Sequence, residues 1–130
     1  MAQIKHIAIR THDVEKTAAF YKEAFGLEQV GVGQSGVYLT DGRLNIAILS
    51  FRPVMEGESM KLGVDHIGFS VDNVDATVAR IKELGGKSLN ERHDAAPDDP
   101  AKPRSYFEVK CVGPEDQVID VSNAGWIGAK

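Results

Sequence analysis

The feature that most constrains this chain is that it is written twice. Subtracting 60 from the numbering of the second half pairs His66 with His6, Ile67 with Ile7, Val74 with Val14 and Thr77 with Thr17. Ala79, Lys82, Glu83 and Gly86 fall in the same register on Ala19, Lys22, Glu23 and Gly26, without a gap. Self-similarity at a fixed period marks one supersecondary unit used twice, and such a unit does not bury its hydrophobic face alone. At 130 residues the two copies fit one shared core better than two independent domains.

Each copy opens on a β-rich run, HIAIRT or HIGFSV, and leads into Asp13 or Asn73. Both are helix-capping types, whose side-chain oxygen accepts from the first free backbone N–H groups. Val14, Thr17, Ala18, Tyr21 and Phe25 then form one apolar stripe, as do Val74, Thr77, Val78, Ile81 and Leu84, and each helix stops at glycine. Behind the helices come β-prone segments: EQVGVGQSGVYLTDGRLNIAILSF in the first copy, and KSLN, SYFEVKCV and QVIDVS in the second. Asp41-Gly42 and Gly113-Pro114 read as turns between strands. The unit is therefore β-α-β-β-β. Residues 1–51 form the first, 64–130 the second, and 52–63 a connector made turn-like by Pro53 and Gly57. The expected fold class is α+β: a single domain in which paired modules form a curved mixed sheet around a cleft, with both helices on the convex face.

Alternation along a strand sends successive side chains to opposite faces. Ile7 and Ile9 share one face of the first strand and His6, Ala8 and Arg10 the other; Ile67, Phe69 and Val71 likewise oppose His66, Gly68 and Ser70. The bulky face suits the helices, so the histidines face the cleft. In the last strand Asp120 stands between Ile119 and Val121, and an unpaired charge there is costly. Two imidazoles and one carboxylate form the ligand set of a facial metal site with open positions, suited to Fe(II), Mn(II), Zn(II), Ni(II) or Co(II). The competing reading makes each histidine a hydrogen-bonded core residue and pairs Asp120 with Arg10 or Arg104. Recurrence of the histidine in register favours the metal.

Composition narrows the rest. A formal charge of -4, with no basic block, argues against nucleic acid. Cys111 is the only cysteine, so there is no disulfide framework within the chain and no thiolate cage, as in a reducing compartment. It alternates with Glu108 and Lys110 and reads as a small buried hydrophobe. The N-terminal MAQIKHIAIRTHD lacks a signal peptide's apolar stretch, and no run approaches the ~20 apolar residues of a membrane span. A soluble, cytoplasmic protein is expected. Gly31, Gly33 and Gly36 are not followed by the Lys-Ser/Thr pair of a phosphate loop.

The double β-α-β-β-β pattern, the helix AAFYKEAFGLE, the repeated HI strand starts and the terminal GPEDQVIDV resemble the vicinal oxygen chelate superfamily over almost the whole chain. That superfamily includes glyoxalases, methylmalonyl-CoA epimerases, extradiol dioxygenases and bleomycin-type resistance proteins. The resemblance implies ligands on the first and last strand of each unit, which carry over to His6, His66 and Asp120. The fourth position falls on Ala47, which has no donor atom, while Asn45, on the same face, is a candidate weak ligand or substrate contact. Glyoxalase-like and epimerase-like members use four protein ligands and extradiol dioxygenases two histidines and a carboxylate, so the resemblance favours dioxygenase-like ligation, with Fe(II) ahead of Mn, Zn, Ni or Co. Asp120 is a methylene shorter than the family's usual glutamate.

The implied activity is metal-assisted chemistry on a small molecule with adjacent oxygens, whose oxyanion the ion stabilises. His93, Tyr106 and Glu108 are the acid-base candidates, ahead of His12, and Arg104 a substrate contact with Lys102 beside it. Glyoxalase- or epimerase-like isomerase or lyase chemistry is one alternative, and metal-free sequestration of a ligand, as in resistance-type members, is the other. The resemblance also implies a homodimer. Trp126 is expected to pack the tail over the body or over a partner.

Overall fold

The computed structural model describes residues 1–52, 60–89 and 108–130. Along them run β1 (Gln3–Thr11), α1 (Val14–Phe25), β2 (Glu28–Val32), β3 (Gly36–Thr40) and β4 (Asn45–Ser50), then β5 (Gly63–Ser70), α2 (Val74–Glu83), β6 (Lys87–Ser88), β7 (Glu108–Val112) and β8 (Val118–Ser122). The order β-α-β-β-β occurs twice, and all eight strands join one open mixed sheet, β2-β3-β4-β1-β5-β8-β7-β6. The opening strands of the two copies, β1 and β5, pair antiparallel at its centre. On the outer side of each lies the last strand of its own copy, β4 or β8, in parallel. The fold is α+β. No described helix is long and apolar enough to cross a membrane.

The helices start where their capping residues stand. Asp13 accepts from Lys16 N and Asn73 from Ala76 N, both at 3.0 Å, a cap worth about 1 kcal/mol each. Gly26 ends α1 at φ +68°, a left-handed conformation that costs glycine nothing. Between β3 and β4, Asp41 accepts from Arg43 N and Leu44 N, both at 2.8 Å.

One face of the sheet is covered by the helices. Around α1, Ala18 packs with Leu39 and Ile48, joined by Ile9, Val14, Tyr21, Val37 and Ile46. Around α2, Val74 packs with Val71, Val109, Cys111 and Val121, joined by Phe69, Val78, Ile81 and Ile119. Cys111 is thus a buried core residue, as expected. Phe25 and Leu84, the last members of the two apolar stripes, are mostly exposed. Phe25 stacks on Tyr21 and Leu84 forms the α2 C-cap, so both stripes reach the core only through their earlier turns.

The opposite face carries His6, Ala8, Asn45, Ala47, His66 and Asp120, all buried. The β1–β5 ladder is interrupted twice, so that Lys5 on β1 and Asp65 on β5 have no opposite partner. Each extra residue immediately precedes a histidine. A bulge of this kind bends its strand and re-aims side chains, and here it does so beside the site.

Candidate metal centre

Strand register alone sets one row of residues across the sheet. Thr40 pairs with Asn45, Asn45 with His6, His6 with Gly68, Gly68 with Asp120, and Asp120 with Lys110. His66 stands on β5 at the next position of the same face. The missing side chain at Gly68 leaves space in the middle of the row, between the strands that carry the two imidazoles and the carboxylate.

His6 Nε2 lies 3.2 Å from His66 Nε2 and 3.8 Å from Asp120 Oδ2, and His66 Nε2 lies 3.0 Å from Asp120 Oδ2. A point equidistant from these three atoms is about 2.0 Å from each, against about 2.0–2.2 Å for Zn–N and Zn–O bonds. His6, His66 and Asp120 also form a buried group whose ligand atoms all lie within 4.8 Å of one another.

The hydrogen bonds behind the ligands decide which ring nitrogens face this point. Asn45 Nδ2 donates to the Ile127 carbonyl at 2.8 Å, which turns Oδ1 toward His6. His6 Nδ1 donates to that oxygen at 2.7 Å. On the other ring, His66 Nδ1 donates to Asp65 Oδ2 at 2.6 Å. Asp65 in turn accepts from Lys61 N at 2.9 Å and has Arg10 Nε 3.8 Å away. His6 Nε2 therefore faces this point without a hydrogen, and His66 Nε2 faces it beside the buried Asp120 Oδ2. In the metal-free protein a proton on His66 Nε2 bridges to Asp120 Oδ2 at 3.0 Å, and a divalent ion would take its place once that proton is released. The donor set fits a divalent ion, with each histidine oriented by a partner on its other nitrogen, as metal-ligating histidines are.

The titration behaviour expresses the same convergence. Burial lowers His6 to about 4, overcoming the hydrogen bond to Asn45. Burial also pulls His66 down, but Asp120 and Asp65 outweigh it and raise the group above its ordinary value. For Asp120, burial is outweighed by His66 and Lys110, which hold the carboxyl well below the usual range. Lys110 Nζ donates to Asp120 Oδ1 at 2.7 Å, leaving Oδ2 for the central point. Glu108, two positions along β7, is raised to about 7 by burial and by the charge of Asp120.

The C-terminal residues also enter the site. Trp126 is buried, with its ring parallel to that of His6 at an interplanar angle of 1° and a centroid distance of 5.0 Å. A Cβ on Gly68 would meet Trp126 Cζ2 at 2.7 Å, so the indole occupies the gap that glycine leaves. Beyond it, Ile127 lies over Gly31, and Gly128 abuts Thr40.

Of the residues singled out in the sequence, the structure brings together His6, His66 and Asp120, with Glu108 beside them. Ala47 is buried on the same face. Asn45 is fully buried and both of its amide atoms are engaged, Oδ1 by His6 and Nδ2 by the Ile127 carbonyl. His93, Lys102, Arg104 and Tyr106 lie outside the described residues. His12 packs edge-on against Phe51. Sequence reasoning missed Asp65 and the role of Lys110. Strict alternation places Asp65 on the face opposite His66, and only the extra residue in β5 brings its carboxylate to the ring.

Comparison with known proteins identifies relatives of the chain. The model of the Glyoxalase/Bleomycin resistance protein/Dioxygenase superfamily matches residues 3–100. The chain is 28% identical over 91 residues to Metallothiol transferase FosB of Shouchella clausii (strain KSM-K16), covering 68% of this chain and 62% of that protein. It is 32% identical over 103 residues to the mitochondrial methylmalonyl-CoA epimerase of Homo sapiens, covering 70% of this chain and 58% of that protein. The chain thus spans about three-fifths of the length of these relatives. The Mn(II)-bound glyoxalase from Novosphingobium aromaticivorans shares the fold at a TM-score of 0.68, with 23% identity, over 98% of this chain and 40% of that one.

Proposed function

The chain belongs to the glyoxalase/bleomycin resistance protein/dioxygenase superfamily, and on that footing we propose that it is a divalent-metal-dependent enzyme acting on a small molecule with two adjacent oxygens. The observation that carries this reading is the meeting of His6 Nε2, His66 Nε2 and Asp120 Oδ2 at one buried point. Those three residues would hold the ion, with Fe(II) favoured and Mn, Zn, Ni or Co compatible with the same donors. When bound, such an ion supplies Lewis acidity to neighbouring substrate oxygens.

The other residues have separate tasks. Asp65 and Asn45 keep the imidazoles turned to the ion, and Lys110 keeps Asp120 to a single coordinating oxygen. Glu108 is our acid-base group: its carboxyl lies beside Asp120, and in the metal-free protein burial and that charge hold it above its ordinary value. His93 and Tyr106 are further acid-base candidates and Arg104 a substrate contact, on the sequence alone. Dioxygenase-like ligation is favoured because Ala47 has no donor and Asn45 is committed to His6, which leaves a two-histidine, one-carboxylate set with room for a bidentate substrate. We also propose a single domain of two units, 1–51 and 64–130, that pairs as a homodimer.

The test is to load the protein with Fe(II) without oxygen, add a panel of catechols, and admit oxygen. Oxygen uptake that disappears in Asp120→Ala supports the reading. A fully loaded protein that consumes no oxygen with any catechol contradicts dioxygenase chemistry. The similarity to a metallothiol transferase favours a second reading, in which the same centre would serve addition of a thiol to an electrophilic acceptor; thiol consumption without oxygen, and only when an electrophile is supplied, would distinguish it.

A further inference from the structure

We propose that residues 123–130 are a positioning element of the metal centre: the Ile127 carbonyl, acting through Asn45, sets the tautomer of His6, and Trp126 sets the plane of its ring. The proposal rests on the metal-site reading above, but its geometry stands by itself.

A neutral imidazole carries its hydrogen on either nitrogen. His6 can offer Nε2 to an ion only if the hydrogen is on Nδ1, and Nδ1 faces Asn45. A carboxamide also has two orientations. With its oxygen toward the ring, Asn45 draws the hydrogen to Nδ1. Turned over, it would donate to Nδ1, move the hydrogen to Nε2 and point it at the space between His66 and Asp120.

What selects the orientation is the tail. The Ile127 carbonyl lies 2.8 Å from Asn45 Nδ2; with the amide turned over, two acceptor oxygens would face each other there with no hydrogen between them. Asn45 is fully buried, so water has no access to relieve that contact. The tail is held in place by several further contacts. Thr40 Oγ1 lies 2.8 Å from the Gly128 carbonyl, Lys130 N donates to Arg43 O at 3.2 Å, and Lys5 Nζ donates to Lys130 O. Trp126 completes the arrangement by lying flat against the imidazole, which blocks rotation of the ring out of line with His66 and Asp120. Gly68 makes this possible, since any side chain there would collide with both His6 and Trp126.

The experiment reads the tautomer directly, from the ring nitrogen chemical shifts of His6 in full-length, 15N-labelled protein treated with chelator. The wild type is expected to carry its hydrogen on Nδ1. Asn45→Leu is expected to give a mixture of tautomers, Trp126→Ala to keep the hydrogen on Nδ1 but free the ring, and both to weaken Zn(II) binding, read by calorimetry, on the order of 10- to 100-fold. Asn45→Asp keeps an acceptor beside Nδ1 and should retain the tautomer while accelerating amide exchange in the tail. Trp126→Phe keeps an aromatic plane and should stay near wild type. If Trp126→Ala proves unfolded by its thermal transition, the Asn45→Leu result decides. A wild-type hydrogen on Nε2, or an unchanged tautomer in folded Asn45→Leu, overturns the proposal. If the tautomers shift as expected but the wild type binds no metal, the positioning stands and the functional reading falls.

Discussion

Gly68→Ala puts the smallest possible side chain into the middle of the site. The new Cβ would lie 2.7 Å from His6 Cβ, 2.7 Å from Trp126 Cζ2 and 2.9 Å from Trp126 Cη2, whereas carbon atoms in contact rest about 3.5–4.0 Å apart. Both neighbours must therefore retreat by close to 1 Å. Neither does so freely: His6 Cβ is tied to the central strand, and the indole is held by its stack and its tail. Overpacking of this kind costs about 1–3 kcal/mol. The loss of backbone freedom in the unfolded chain returns about 0.4–1 kcal/mol, so a net destabilisation of about 1–2 kcal/mol is expected. Urea unfolding of the chelator-treated protein measures this loss. Zn(II) titration should show at least a tenfold loss of affinity, because His6 is displaced from the ion. Gly113→Ala is the control, since the nearest atoms to its Cβ all belong to one flexible side chain, Gln117, with Oε1 at 2.8 Å, away from the ligands and the tail. Wild-type stability and affinity in Gly68→Ala would mean that Trp126 and His6 do not stack over this position.

Other perturbations test other parts of the site. Asp65→Asn removes the charged acceptor of His66 Nδ1; the raised pKa of His66 should fall, and calorimetric metal affinity should drop about 10- to 100-fold, whereas unchanged affinity would remove Asp65 from the site. In metal-free protein His6 titrates at about 4 instead of 6.5, so the unfolded chain takes up that proton first. The stability contributed by neutral His6 is complete above the unfolded value and is lost as pH falls toward 4, a change of about 3 kcal/mol. The stability difference between wild type and His6→Gln in urea should shrink accordingly between about pH 7 and pH 4; a flat difference would contradict the buried, neutral ring. Because ligands must give up protons to bind a metal, Zn(II) titration near pH 6.5 in buffers of different ionisation enthalpy should reveal proton release from His66, and this release should shrink when the titration is repeated at higher pH; release that does not change with pH would contradict it.

Much of this arrangement is legible in the sequence because it rests on two short-range periodicities. The sixty-residue offset fixes two copies of one unit, and alternation separates His6, His66 and Asp120 from the isoleucines and valines that meet the helices. Asp65 escapes the same logic: strict alternation sends it to the face opposite His66, and only the extra residue in β5 turns its carboxylate back to the ring. Bulges depend on the partner strand, so no local pattern announces them. The role of Asn45 is hidden for a different reason. Its face can be read, but its partners are the strand beside it and a carbonyl 82 residues away. Trp126 belongs to a segment without periodicity, and its position follows from the gap at Gly68, which is apparent only once β1 and β5 are paired.

The most direct test of the account is the metal content of protein purified without chelators, measured for the wild type, His6→Ala and Asp120→Ala. The account predicts about one divalent ion per wild-type chain, the number one two-histidine, one-carboxylate site holds, and none in either folded variant. A wild type that stays empty when supplied with Fe(II), Mn(II) and Zn(II), or variants that keep a full complement, would contradict it.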